Sequence, residues 1–278
     1  MAQYSVPRAS YFPPLKNNNV FEVVMLADKD GNIINSAGAS ANINISMGLV
    51  EGWGNIHKFG AVPSMSQNTS GSIWDVNDTD YPWSAFDTAG ILTISTTTSN
   101  GTLSSLDDGL DVVIVGLDEN YEEVSETITI SGNSGTGTVS FKRVYRAYVT
   151  DGAETNQTEI RISRGATEVL RINIGKAQTL MAIYTVPAGK TAYLLKGTAT
   201  CAAAADATID MFIRYFGQTT FRIGHTAEVS GTGGQYEYQF PIPTEIPEKS
   251  DIDVRALVRS NNARVTAAFD IILVDNET

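Results

Sequence analysis

The residues best placed to hold a phosphate are Gly189, Lys190 and Thr191, inside the stretch TVPAGKTAYLL. A phosphate-binding loop reads Gly-x-x-x-x-Gly-Lys-Thr and runs from a strand into a helix whose first amides hold the phosphate. The first glycine would fall at position 184, which is Tyr184, and TAYLLKGTAT after the lysine has the β-branching of a strand. The nucleotide reading fails on both counts. Pro187 and Ala188 suit the centre of a type I turn and Gly189 supplies a positive φ, which predicts a three-residue hairpin loop joining two core strands.

Carboxylates gather in DVNDTD, where Asp75, Asn77 and Asp80 offer oxygens at nearly alternate positions, as a calcium loop requires. The EF-hand pattern breaks at its sixth position, Asp80 in place of glycine, and at its twelfth, Phe86 in place of glutamate. A weak calcium candidate remains, set against a capped acidic turn. Asp107 and Asp108 lie at a turn, where a glycosidase-type carboxylate pair is neither supported nor refuted by sequence spacing. His57 and His225 are far apart, Gly-x-Ser-x-Gly does not occur, and the single Cys201 begins a run of alanines in which it packs as a small apolar residue. Two histidines and one distant cysteine lack zinc spacing. The residues therefore predict no catalytic centre, no cofactor and no enzyme activity. The five Asn-x-Ser/Thr sequons follow from a composition rich in those residues.

The elements that would position such groups are strands. The chain has 278 residues, 42% hydrophobic and only 18% charged, with a formal net charge of −12. Ser, Thr, Asn and Gly fill the difference, which suits a β protein with many turns. The acidic balance repels nucleic acid. MAQYSVPRASYFPPL has no long apolar core, so it does not read as a signal peptide, and no stretch has the length of a transmembrane helix. The expectation is synthesis in a cytoplasm, with no nucleic acid and no membrane as partner.

Residues 1–19 read as an extended arm, broken by Pro7, Pro13 and Pro14 and carrying Tyr4, Tyr11 and Phe12; it docks on a neighbouring subunit or is a loose terminus. A hairpin over Val20–Ile34, turned at Asp30-Gly31, and an alternating ANINISM open a first β domain at 20–175. Its residues 50–90 read as an irregular loop holding Trp53, Trp74 and Trp83, either a satellite core or an exposed contact surface. ILTISTTT, DVVIVGLD, EEVSETITIS and a TVSFKRVYRAYVT bulged at Lys142-Arg143 then read as strands, with TEIRISR and TEVLRINIG as a hairpin. Seven more candidate strands fill a C-terminal domain at 176–278, where Cys201–Asp206 is the only helix-compatible run. The fold class is all-β: two β-sandwich or jelly-roll-like domains after an N-terminal arm.

GNIHKFGAVPSM, SIWDVND with YPW, VVIVGLDENYEEVSETITISG, FKRVYRAYV, QTLMAIYTVPAGKTAYL, IPEKSDIDVRA and AAFDIILVDN, in that order over residues 50–276, resemble a family of virion structural proteins of tailed phages from marine and freshwater bacteria. The resemblance implies a structural role in the virion and no enzymatic activity. The expected function is a capsid decoration or cement protein that binds the major capsid protein. The expected assembly is a homo-oligomer, a trimer by analogy with three-fold shell sites. The alternative is a neck, tail, baseplate or fibre component binding a host receptor or glycan. Tyr4, Tyr11, Phe12, Trp53, Trp74 and Trp83 are the contact candidates.

Overall fold

The computed structural model describes residues 41–150, 155–230 and 232–276. Two compact units are present, one ending at Glu51 and one running from Gly52. Of the first unit, the described part is a helix, α1 (Ala41–Ser46), followed by a turn. The period-two spacing of Ile43 and Ile45 predicted a strand here. The segment instead closes on itself: Met47 N–H donates to Ile43 O and Leu49 N–H to Asn44 O, and Gly48 at φ +70° allows the exit turn. The arm residues Tyr4, Tyr11 and Phe12 and the Val20–Ile34 hairpin lie outside the described residues.

The second unit is built of antiparallel strands: β1 (Trp53–Met65), β2 (Ser70–Ser72), β3 (Thr93–Thr97), β4 (Asp111–Leu117), β5 (Glu123–Thr129), β6 (Ser134–Thr136), β7 (Arg143–Val149), β8 (Glu159–Arg164) and β9 (Thr167–Ile172). There follow β10 (Ile183–Thr185), β11 (Lys190–Ala204), β12 (Ala207–Arg214), β13 (Arg222–Val229), β14 (Thr232–Ile246), β15 (Asp251–Val258) and β16 (Ala263–Asp275). A 3-10 turn spans Trp83–Phe86. One core lies between the sheet β1-β16-β11-β14 and the sheet β10-β15-β12-β13, where β2 also pairs with β15; it holds Leu194, Val254, Val265, Phe269 and Cys201. The other lies between β6-β3-β8-β9 and β5-β4-β7, around Ile94, Val112, Ile114, Ile160 and Phe141. Alternating burial along β4 and β12 is the period-two pattern that fills such cores. The described residues are nearly all β, as the composition and alternation indicate.

Four local expectations change. Residues 50–90 are not all irregular: β1 pairs with β16 from Trp53↔Val274 to Met65↔Ala263, and β2 joins β15, so both sit in sheets of the C-terminal strands. Glycines hid that strand. Gly60 is required because a Cβ there would meet Ala182 N at 2.3 Å and Ile73 O at 2.4 Å. Cys201 lies in β11 rather than in a helix-like run, because Thr200 and Cys201 pair with Thr266 and Val265. The β7 bulge falls at Tyr145, between the pairs Val115↔Arg146 and Gly116↔Val144, rather than at Lys142-Arg143. Finally, Pro187-Ala188-Gly189 is not a hairpin loop. β10 pairs with β15 while β11 pairs with β14 and β16, so the turn carries the chain from one sheet to the other. Gly189 does have a positive φ, +71°.

Candidate contact surface

Strand β15 reads Asp-Ile-Asp-Val-Arg-Ala. Period two places Asp251, Asp253 and Arg255 on one face, with Ile252, Val254 and Ala256 on the core side. On β12, Arg214 stands opposite Asp251 and Phe212 opposite Asp253. Arg143 arrives from β7 and donates Nε to Asp251 Oδ1 at 2.8 Å and Nη2 to Oδ2 at 3.2 Å. Arg214 donates Nε to the same Oδ2 at 2.9 Å, and Thr185 Oγ1 donates to Oδ1 at 2.7 Å. Asp253 accepts from Arg255 Nε at 2.9 Å and Trp83 Nε1 at 3.0 Å, while Arg255 Nη1 reaches Asp80 Oδ2 at 2.7 Å. The guanidinium groups of Arg143 and Arg214 lie 5.6 and 5.2 Å from the Trp83 ring, and Phe221 lies 4.6 Å from Arg214. Three arginines thus meet three aspartates in a seam between the cores. Burial raises the Asp253 pKa, against the pull of Arg255 and the Trp83 hydrogen bond. Burial also works to lower the Arg143 pKa, but the hydrogen bond and charge of Asp251 hold it above the ordinary value. Most of these carboxylate and guanidinium atoms are paired with one another, which makes the seam a fastening between the cores.

The sequence candidates are dispersed around it. Trp74 and Trp83 are 2% and 7% exposed and belong to the second core with Tyr81 and Phe86, so neither offers a surface in the single chain. Trp74 Nε1 donates to Thr79 O at 3.0 Å. Trp53 is 45% exposed and lines a shallow cleft of about 310 Å³ with Asn55, Glu123, Lys190 and Asp275. The calcium candidate comes apart by partner. Asn77 Oδ1 accepts from Thr79 N–H and its hydroxyl, Asp80 holds Arg255, and Asp75 Oδ2 accepts from Leu180 N–H at 3.1 Å. Burial pushes the Asp75 pKa up to about 8. Among the described residues no three His, Cys, Asp or Glu side chains converge as metal ligands. Asp107 and Asp108 are latches, accepting from Gln157 and Thr158 N–H and from Gly132 N–H. His57 Nδ1 meets Asp270 Oδ1 at 2.5 Å. Lys190 opens a strand and pairs with Asp275 at 2.6 Å, so nothing there cradles phosphate.

The surface that sequence reasoning missed is formed by β13 and β14. Each ends its sheet, and among the described residues each pairs with one neighbour only, β12 and β11. His225 of β13 meets Tyr236, Tyr238 and Phe240 of β14 at ring separations of 5.8, 5.3 and 5.1 Å, with its Nε2 2.5 Å from the Tyr236 hydroxyl. Tyr238 is 40% exposed. Next to it the ladder breaks. Leu194 pairs with Thr244 and Lys196 with Gln239, so Phe240–Pro243 oppose Leu195 alone and bulge outward. Ile242, at the tip, is 84% exposed. The signal available in sequence was QYEYQFPIP itself, an aromatic alternation ending in two prolines, which a strand tolerates only at an edge or bulge.

Among the described residues no helix is long and apolar enough to cross a membrane. No family model and no curated protein matches the chain. Solved structures with loose similarity are two strains of infectious bursal disease virus, Gx (10% identity, 80% of this chain and 75% of the other, TM-score 0.19) and Gt (8%, 82% and 78%, 0.17). The infectious bursal disease virus VP2 subviral particle is similar at 10% identity over 82% and 78%, with a TM-score of 0.18.

Proposed function

We propose that this chain is a structural protein of a virus particle, and more specifically a decoration or cement protein that binds capsid subunits and strengthens the shell by adding buried interface. The observation that carries the reading is the apolar surface at the β13–β14 end of the sheets, where Ile223 of β13 is 56% exposed and Ile242, on a bulge flanked by Pro241 and Pro243, is 84% exposed. Exposed apolar groups concentrated at an open edge mark a surface that another molecule covers. The seven segments that resemble phage virion proteins support it. They build β1, the β4–β5 hairpin, β7, β10, β15 and β16, and they carry Trp83, Arg143, Asp251, Asp253 and Arg255 of the seam. β12, β13 and β14 fall between the matched segments that end at Leu194 and resume at Ile246. The test is copy number in purified particles together with a density map. Many copies on the head surface are expected, and a few copies confined to the tail would overturn the decoration reading.

A second reading, a tail or fibre component that binds a host glycan, is favoured by the Trp53 cleft. An exposed indole beside Asn55, Glu123 and Asp275 is a platform on which a sugar ring can stack and hydrogen-bond. Loss of host adsorption by particles carrying Trp53→Ala would favour it.

A further inference from the structure

We propose that β14 is a self-association edge, and that two copies of this chain pair β14 to β14 antiparallel about a two-fold axis through Tyr238. Among the described residues the part of the edge left without a second partner strand and free of proline is Tyr236–Phe240. Pro241 and Pro243 in the bulge end the ladder beyond it. An exposed run of strand edge presents a row of unpaired N–H and C=O groups, which a second strand satisfies. The occupant is argued from charge. A chain at −12 repels its copies except where the local charge is cancelled. Here it is cancelled: Glu237 is the one charged residue of the run, and Lys196 holds it at 2.8 Å.

The register follows from side-chain pairing. A two-fold axis normal to the sheet places residues of the same face opposite one another, because side chains alternate along a strand. An axis through Glu237 would set the two Glu237 carboxylates face to face, which is destabilising. An axis through Tyr238 sets Tyr238 against Tyr238 of the second copy, Tyr236 against Phe240, and Glu237 against Gln239. The two ring ladders then meet on one face, and the two sheets become one of eight strands. Both bulges lie outside the paired run, at its two opposite ends, with Ile242 of each copy in register with residue 234 of the other.

The test uses the full-length chain away from particles, so its failure leaves the particle assignment standing. Sedimentation at micromolar concentration is expected to give a dimer, and Tyr238→Lys a folded monomer by circular dichroism. Tyr238→Cys is expected to oxidise to a covalent dimer, since only a residue on the axis faces its own copy, while Gln239→Cys stays uncrosslinked. Native Cys201 is buried and does not confuse the reading. A monomer at every concentration overturns the proposal, as does a dimer that survives Tyr238→Lys or crosslinks equally through Gln239→Cys. A monomer that binds a different virion protein along this edge overturns it too. Should Tyr238→Lys misfold, the self-crosslink of Tyr238→Cys still decides.

Discussion

Arg143 of β7 and Asp251 of β15 form a two-bond ion pair, 2.8 and 3.2 Å, that joins the two sandwich cores. Both side chains are nearly closed to solvent, 9% and 3% exposed. Asp251→Asn would leave Arg143 and Arg214 with no full counter-charge at that position. The expected cost is about 3–5 kcal/mol, since removing one partner of a buried pair strands the other charge. Urea unfolding checks this. A loss below about 1 kcal/mol would show that water reaches the seam.

Two buried groups give opposite pH slopes. Asp75 has its pKa raised by burial from 3.8 to about 8, so between those values the folded chain holds a proton that the unfolded chain has released. Stability therefore falls as pH rises through that window. Lys58, whose Nζ donates to Tyr145 O, has its pKa lowered to about 7 by burial and then by Arg146. Between about 7 and 10.5 the unfolded chain holds the extra proton, so stability rises with pH. The two slopes meet in a minimum near neutrality. Asp75→Asn should remove the acid-side slope and Lys58→Met the alkaline one, read by urea unfolding at several pH values. Parallel slopes in all three proteins would refute the assignment.

At the sheet-to-sheet turn, Gly189 has φ +71° and open space where a Cβ would go. Gly189→Ala is expected to cost about 1 kcal/mol from backbone strain alone. Lys190→Ala removes a partly exposed pair with Asp275 and should cost at most about 1 kcal/mol. Gly60→Ala should cost more than either, because its Cβ would strike backbone at 2.3 Å. Thermal unfolding of the three variants checks the order.

Calcium is expected to leave the melting temperature unchanged, because Asp75, Asn77 and Asp80 each serve a different protein partner. A rise of several degrees in millimolar calcium, reversed by chelation, would contradict that.

Strands with clean alternation, such as β8 and β12, were legible because burial on one face writes period two into the sequence, while β4 was legible as a continuous apolar run. β1 was not. Gly54 and Gly60 sit where side chains would be, and His57 and Lys58 interrupt the apolar phase. Pro187-Ala188-Gly189 had the right φ and the wrong partner strands, since local turn chemistry does not say which sheet the next strand joins. α1 shows the converse: two isoleucines two apart satisfied a strand template over a run too short to exclude a helical turn. The seam was half visible, because Asp-x-Asp-x-Arg in β15 announces a charged face, while its partners Arg143 and Trp83 come from distant segments. Tyr238 and Ile242 were readable as strand and bulge residues, but their exposure depends on which strands end the sheets.

Strand β16 lies between β1 and β11, paired along its length with both. Its pairing Trp53↔Val274 closes a loop over most of the chain. During synthesis, β1 and β11 emerge long before the strand that separates them. Until β16 leaves the ribosome, both have an unmet edge and the first core cannot close. A nascent chain cut short before Ala263 therefore carries two open edges where the finished sheet has a continuous ladder.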